Sequence, residues 1–340
     1  MRTVLAGAVA ATLTCTAGPA PAQVIRDDFS ARGISAERWL FCERDENEVA
    51  VVQPPGVTFR AAEMTVRPRV EVAVFGMMFR HPGCRNGGGA FEPEKNDERS
   101  ELWEADAVTL PFGTEVWYRF AFQVDPDTRR SAERLVIGQW KQSNSATGDS
   151  PVIAQRFNGR TFSITVEQDN TSPDRAPEDK ECRVWIAVDR SAVKVAGGSE
   201  AHSLLSVAGT GEPLHRPGGL PSIGHDEFEV SHAAPPATAA AAPRPCVQDL
   251  TVMPLGFLPD PFGHWVTMLY HIRLNGPDSL VEVWADGQPV ARASGRIGFS
   301  TTGPGRQYFK FGPYRKHQPY PAWARLAQYA RGFSREDVDR

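Results

Sequence analysis

Period-two alternation of apolar and polar residues recurs along most of this chain and constrains its fold more than any other feature. It runs through Met64 to Phe75, Val116 to Val124, Leu135 to Lys141, Val152 to Phe157, Phe162 to Gln168, Cys182 to Val188, Trp265 to Leu274, Leu280 to Ala285 and Tyr308 to Tyr314. Strand side chains point alternately to two faces, so these runs read as half-buried β-strands. Asp286-Gly287, directly after Val281 to Ala285, is the residue pair that a tight hairpin demands. One helix is expected, short and terminal, from about Pro321 to Gly332, because Pro321 suits a first helical turn. Many strands and little helix predict an all-β sandwich.

The ends and the interruptions of this pattern bound the rest. Arg2, an apolar run from Val4 to Leu13 and the small-residue stretch Ala20-Pro21-Ala22 read as a secretory signal over residues 1–22, leaving 23–340 as a single domain. Cys15 offers a lipoprotein reading, but Thr14 is an unusual neighbour and the Ala-Pro-Ala site lies downstream. No other segment has the apolar length of a membrane span. The expected location is therefore secreted or periplasmic, and in that oxidising setting Cys42, Cys84, Cys182 and Cys246 are disulfide candidates, their pairing open. They lack the close paired spacing of a metal site. Residues 192–245, rich in Ala, Pro, Gly and Ser, read as a long flexible insertion. Its histidines, His202, His215, His225 and His232, have irregular spacing and no accompanying carboxylates, so solvated loop residues are the better reading. The formal net charge of −4 argues for neither nucleic acid nor a membrane surface as partner. A polyanion site on this chain has to be local.

Three separated segments supply such a site. In Tyr308-Phe309-Lys310-Phe311-Gly312-Pro313-Tyr314-Arg315, alternation places Tyr308, Lys310, Gly312 and Tyr314 on one face, an ammonium beside two phenols and bare backbone. Arg99, Glu101 and Trp103 share a face in a second segment, and Gln139 and Lys141 share one in a third, with Trp140 directed to the opposite, core-facing side. Taken singly, each pattern is also what sheet packing produces; converging from three strands, they describe a polar site. Trp39, Trp103, Trp117, Trp185, Trp265 and Trp284 read first as core residues. Asp27 and Asp28 raise the question of a structural calcium ion, without the spacing of a calcium loop to support it.

These segments resemble the three strand motifs of jelly-roll polysaccharide lyases: Arg-Ser-Glu-Leu at Arg99 to Leu102, Gln-x-Lys at Gln139 to Lys141, and the Tyr308 to Arg315 run. The best likeness is to secreted proteins of the heparin lyase I-like type, related to family-seven alginate lyases and glucuronan lyases. The resemblance covers most of residues 24–320 apart from the insertion. It implies a concanavalin A-like β-jelly-roll and β-elimination at a uronic acid in an anionic polysaccharide, with no required cofactor and a monomer as the default assembly. By the same analogy Tyr314 is base and acid, and Arg99 and Gln139 meet the substrate carboxylate. Lys310 activates Tyr314 or holds that carboxylate. Tyr308, Arg315 and His81 are further substrate-binding candidates, and Glu101 orients Arg99.

The chain departs from the resemblance at Lys141, where the related lyases carry histidine. Lysine stays protonated unless buried, which removes the histidine base and favours elimination with both groups on one ring face, as at glucuronate or mannuronate. His81 would replace that imidazole only where the fold places it nearby; a surface or structural histidine is its plainer reading. Two rival readings are a noncatalytic carbohydrate-binding protein on the same fold, which would not need Tyr314, and a glycoside hydrolase, which needs two facing carboxylates. Alternation places Glu101 opposite Glu104 and Asp106, against the second.

Overall fold

The structure is a computed structural model that describes residues 23–30, 33–41, 47–68, 97–130, 134–146, 150–158, 161–169, 181–190 and 249–340. The strands in chain order are β1 (Ile25–Asp27), β2 (Trp39–Phe41), β3 (Asn47–Val52), β4 (Ala61–Val66), β5 (Asp97–Arg99), β6 (Leu102–Glu104), β7 (Leu110–Pro111), β8 (Val116–Val124) and β9 (Arg134–Gln142). They continue as β10 (Ile153–Asn158), β11 (Thr161–Asp169), β12 (Glu181–Val188), β13 (Leu250–Pro254), β14 (Val266–Arg273), β15 (Ser279–Ala285), β16 (Gln288–Gly295), β17 (Arg306–Lys316) and β18 (Ala322–Gly332). One short helix, α1 (Arg335–Asp339), closes the chain.

Two antiparallel sheets face each other. One has the order β13-β16-β15-β14-β8-β18-β4-β3, with β1 added on β18. The other has the order β12-β11-β10-β9-β17-β6-β2, with β5 and β7 added on β17. The alternation predicted from sequence is what joins them. Tyr118, Phe120 and Phe122 of β8 and Tyr270 of β14 point inward and meet Trp140, Phe309 and Phe311 from the facing sheet, with Phe120 and Phe309 ring centroids 5.2 Å apart. Each such fully buried aromatic contributes about 1.5–3 kcal/mol by leaving water. The result is a β-sandwich of jelly-roll type.

Asp286 and Gly287 join β15 to β16 with φ of 48° and 76°, the left-handed pair of a two-residue hairpin. The expected helix at Pro321 to Gly332 is a strand instead. Its Ala, Leu, Arg and Gln residues favour a helix in isolation, but β18 lies between β8 and β4, where ladder bonds on both sides outweigh propensity. A bulge at Gln328, φ 50°, re-aims the strand so that Tyr329 and Arg331 enter the core. The helix comes after it, capped by Ser334, whose Oγ accepts from the Asp337 amide while the Asp337 carboxylate accepts from the Ser334 amide. The expected strand from Met64 ends at Val66, with Arg67 and Pro68 no longer part of it; residues 69–75 lie outside the described residues, as do the signal segment and the insertion at 192–245. β16 gave no bulky alternation to read, since its inward positions are Val290, Ala291 and Ala293.

Inside the sandwich one charged group from each sheet is paired. Glu104 of β6 accepts from Arg331 Nη1 and Tyr329 Oη, both at 2.6 Å, and from the Phe309 amide at 2.9 Å. Burial raises the Glu104 carboxyl above the usual carboxylate range, against the pull of Arg331 and these hydrogen bonds. Among the described residues no helix is long and apolar enough to cross a membrane.

Candidate active site

β17 organises the site because it has neighbours on both edges. On one edge Tyr308 lies opposite Lys141 and Lys310 opposite Gln139; on the other Lys310 lies opposite Trp103 and Tyr314 opposite Arg99. Cross-strand partners share a face. Phe309 and Phe311 turn inward, so Tyr308, Lys310, Tyr314, Arg99, Trp103, Gln139 and Lys141 all belong to the outer face of this sheet. Gln139 and Lys310 are only 5% and 7% exposed, so this face is the floor of a recess.

Two irregularities shape that floor. Between Phe311 and Tyr314 the register shifts, and Gly312 takes φ 135°. A Cβ there would stand 2.1 Å from the Ser100 carbonyl oxygen, so a bare backbone is required for the Ser100-Glu101 segment to lie against β17. On β9 both Gly138 and Ile137 face inward, which flips the next residues: Leu135 joins the core, while Val136, opposite Tyr314, and Arg134 turn outward.

The flip brings a second cation to Tyr314. The Arg99 guanidinium lies 4.5 Å from the Tyr314 ring centroid and the Arg134 guanidinium 4.7 Å, reaching it from strands on opposite edges of β17. Lys310 Nζ sits 3.6 Å over the Trp103 ring and 5.7 Å from that of Tyr308. Gln139 Nε2 donates to Glu101 Oε1 at 2.5 Å. An amide nitrogen carries two hydrogens, so Gln139 can hold Glu101 with one and an incoming anion with the other.

A family model described as polysaccharide lyase matches residues 60–330. The chain belongs to this family, and it is a polysaccharide lyase. No curated protein matches it. Among solved structures it is similar to an endo-β-1,4-glucuronan lyase from the fungus Trichoderma reesei, with 12% identity over 88% of this chain and 93% of that one and a TM-score of 0.49. It is also similar to alginate lyases from Klebsiella pneumoniae (13% identity, 86% and 87% covered, TM-score 0.43) and Pseudomonas aeruginosa (11%, 88% and 100%, TM-score 0.37).

The recess of this lyase continues across β10, β11 and β12. Arg156 lies opposite Val136 and shares the outer face; its Nε donates to Thr165 Oγ1 at 2.9 Å and its Nη2 to Glu167 Oε1 at 2.5 Å. Arg183 Nε donates to the same Glu167 oxygen at 2.7 Å. Burial works to raise the Glu167 carboxyl, but Arg183 and Arg156 together hold it below its ordinary value. Burial and the neighbouring Arg183 press Arg156 down, to about 9, against the pull of Glu167.

The lyase brings Arg99, Glu101, Gln139, Lys141, Tyr308, Lys310 and Tyr314 onto one face, as the strand patterns predict. It separates Arg315 from them: this guanidinium is opposite inward-facing Leu135, 3% exposed, and donates to Glu98 at 2.9 Å. The described hydrogen bond of Glu101 runs to Gln139, where the sequence reading had it orient Arg99. Trp103 floors the recess under Lys310, whereas Trp39 and Trp140 are core residues. Glu104 faces the core, so it and Glu101 cannot flank one glycosidic bond. Asp27 accepts from Trp39 Nε1 and the Phe29 amide, and the described residues hold no cluster of metal ligands. Cys182 is fully buried; Cys42, Cys84 and Cys246 lie outside the described residues, as does His81. Arg134 was missed. Strict alternation from Gln139 and Lys141 assigns it to the core side, and only the bulge at Ile137 and Gly138 reverses this.

Proposed function

We propose that this lyase cleaves a uronic-acid polysaccharide by β-elimination, with Tyr314 as both base and acid. The observation that carries this reading is the placement of the Arg99 and Arg134 guanidiniums against one phenol. A free tyrosine titrates near 10, too high for a useful base at neutral pH, and adjacent positive charge favours its phenolate. Arg99 and the second amide hydrogen of Gln139 receive the uronate carboxylate. Neutralising it lets charge build toward the enolate as the C5 proton leaves.

The Tyr314 oxygen takes that proton, the C5–H electron pair becomes the C4–C5 double bond, and the C4–O4 bond breaks. O4 leaves with the proton that Tyr314 returns to it. One residue doing both suits a substrate whose proton and leaving oxygen lie on the same ring face, such as glucuronate or mannuronate. Lys141, opposite Tyr308, supports this because an ammonium is a poor base. Lys310, held over Trp103, assists the carboxylate, and Tyr308 packs a sugar ring. The same reading makes the protein secreted or periplasmic, with Cys42, Cys84, Cys182 and Cys246 forming disulfides, no required cofactor and a monomeric working unit. Its support is the N-terminal apolar run and the even set of cysteines after it.

Ultraviolet absorbance of the unsaturated product, over a panel of glucuronan, polymannuronate, polyguluronate, hyaluronan, chondroitin and heparin, tests the proposal. Tyr314→Phe should lower turnover on the best substrate by about 10³-fold or more without changing the melting temperature. Efficient cleavage of polyguluronate alone, or retained turnover in Tyr314→Phe, would overturn it.

A further inference from the structure

Among the described residues, the outer face of the β9–β12 region gathers arginines around one buried carboxylate. Arg134, Arg156 and Arg183 converge there with Glu167 among them, in a chain whose formal net charge is −4. One carboxylate oxygen serves both Arg156 and Arg183. The Arg156 side chain is 11% exposed and that of Arg183 15%, while Glu167 is fully buried beneath them. Among the described residues Arg156 uses Nε and Nη2, which leaves Nη1 as its available end.

We propose that Arg156, supported by Arg183 and Glu167, forms a second anion subsite that binds a carboxylate on another unit of the polysaccharide chain being cut at Tyr314. This rests on the uronate-lyase reading above and extends it. Arg156 is on β10, separated from β17 by β9 alone, so at about 4.8 Å per strand it lies about 10 Å across the sheet from Tyr314. That distance spans roughly two sugar units along a chain crossing the strands. Glu167 fixes the guanidinium in place, and Thr165 holds its Nε edge, so the ligand meets a preorganised donor. A single planar guanidinium end suits a carboxylate, the anion that a uronate substrate must carry.

The test uses the full-length protein and size-fractionated oligomers of the uronan it cuts best, followed by ultraviolet absorbance. The readout is the ratio of kcat/KM on long oligomers to that on the shortest one cleaved, with near-ultraviolet circular dichroism confirming the fold of each variant. Arg156→Gln should lower that ratio about tenfold, through KM. Arg183→Gln, at the more exposed partner, should lower it less. Both losses should diminish in high salt. A length-independent loss in Arg156→Gln with no change of ratio in Arg183→Gln overturns the proposal, as does no loss in either. An effect confined to sulfated oligomers overturns the carboxylate assignment. Tyr314→Phe separates the two readings: retained turnover there would remove the tyrosine mechanism while the length ratio of Arg156→Gln would still report on the subsite.

Discussion

The two faces of the β9–β17 sheet treat charge in opposite ways. On the core side Glu104 meets Arg331 one to one, sealed among Tyr118, Tyr329 and the Phe309 amide. On the recess side, among the described residues, Arg99, Arg134, Arg156, Arg183, Lys141 and Lys310 share the face with Glu101, Glu167, Asp169 and Glu181. Paired charge in a dry interior fixes how two sheets dock, whereas on the outer face Arg156 and Arg183 keep part of their surface open to solvent. A single strand, β17, borders both regimes.

The contrast can be broken most forcefully from the core side. Arg331→Met strands a buried carboxylate and should cost about 3–5 kcal/mol in chemical denaturation. Adding Glu104→Gln should recover most of that loss, because the replacement no longer needs a cation. If the double variant is as unstable as the single one, the pair is not the balanced unit described. Gly312→Ala should come next. The positive φ alone costs about 1–3 kcal/mol, and since the obstacle is the Ser100 backbone, the Arg99 side of the recess must shift and turnover should fall with stability.

Recess-side changes should leave the melting temperature nearly alone and move the chemistry. Arg134→Gln removes one of two cations from Tyr314 and should lower kcat/KM about tenfold at neutral pH. Its pH–rate profile should shift toward alkaline pH, with Arg134→Lys between the two. A uniform loss without a profile shift would mean that Arg134 serves only to pack the ring. The smallest effect is the pH dependence of Arg331→Met. Arg331 is the strongest influence lowering the Glu104 carboxyl, so its removal raises a group that burial already raises. A raised folded-state value contributes stability at low pH that is lost as pH rises through it. The deficit of the variant should therefore widen from acid toward neutral pH, seen as diverging melting temperatures.

Much of this contrast was legible in the sequence, for a definite reason. Tyr308 to Arg315 announces two faces because its inward residues are phenylalanines and its outward ones are polar. Gln139, Trp140 and Lys141 do the same. Arg134 was missed and Arg315 misassigned for related reasons. Period two holds only until a bulge, and the isolated Gly138 inside the strand is the signal that the count slips there; Arg315, one step beyond Tyr314, belongs to the other face. β18 was misread because helix propensity is local while its place between β8 and β4 is set by distant strands.

That last placement also governs how the molecule comes into being. β17 and β18, the final strands made, occupy the middle of their sheets, between β9 and β6 and between β8 and β4. Neither half of the sandwich can zip up from its beginning, because its central rung is still unsynthesised. Closure awaits the C-terminus, and contacts so distant in sequence make for slow folding. A chain interrupted anywhere before Arg306 would therefore lose the keystone of both layers together with every outer-face group that β17 brings to the recess.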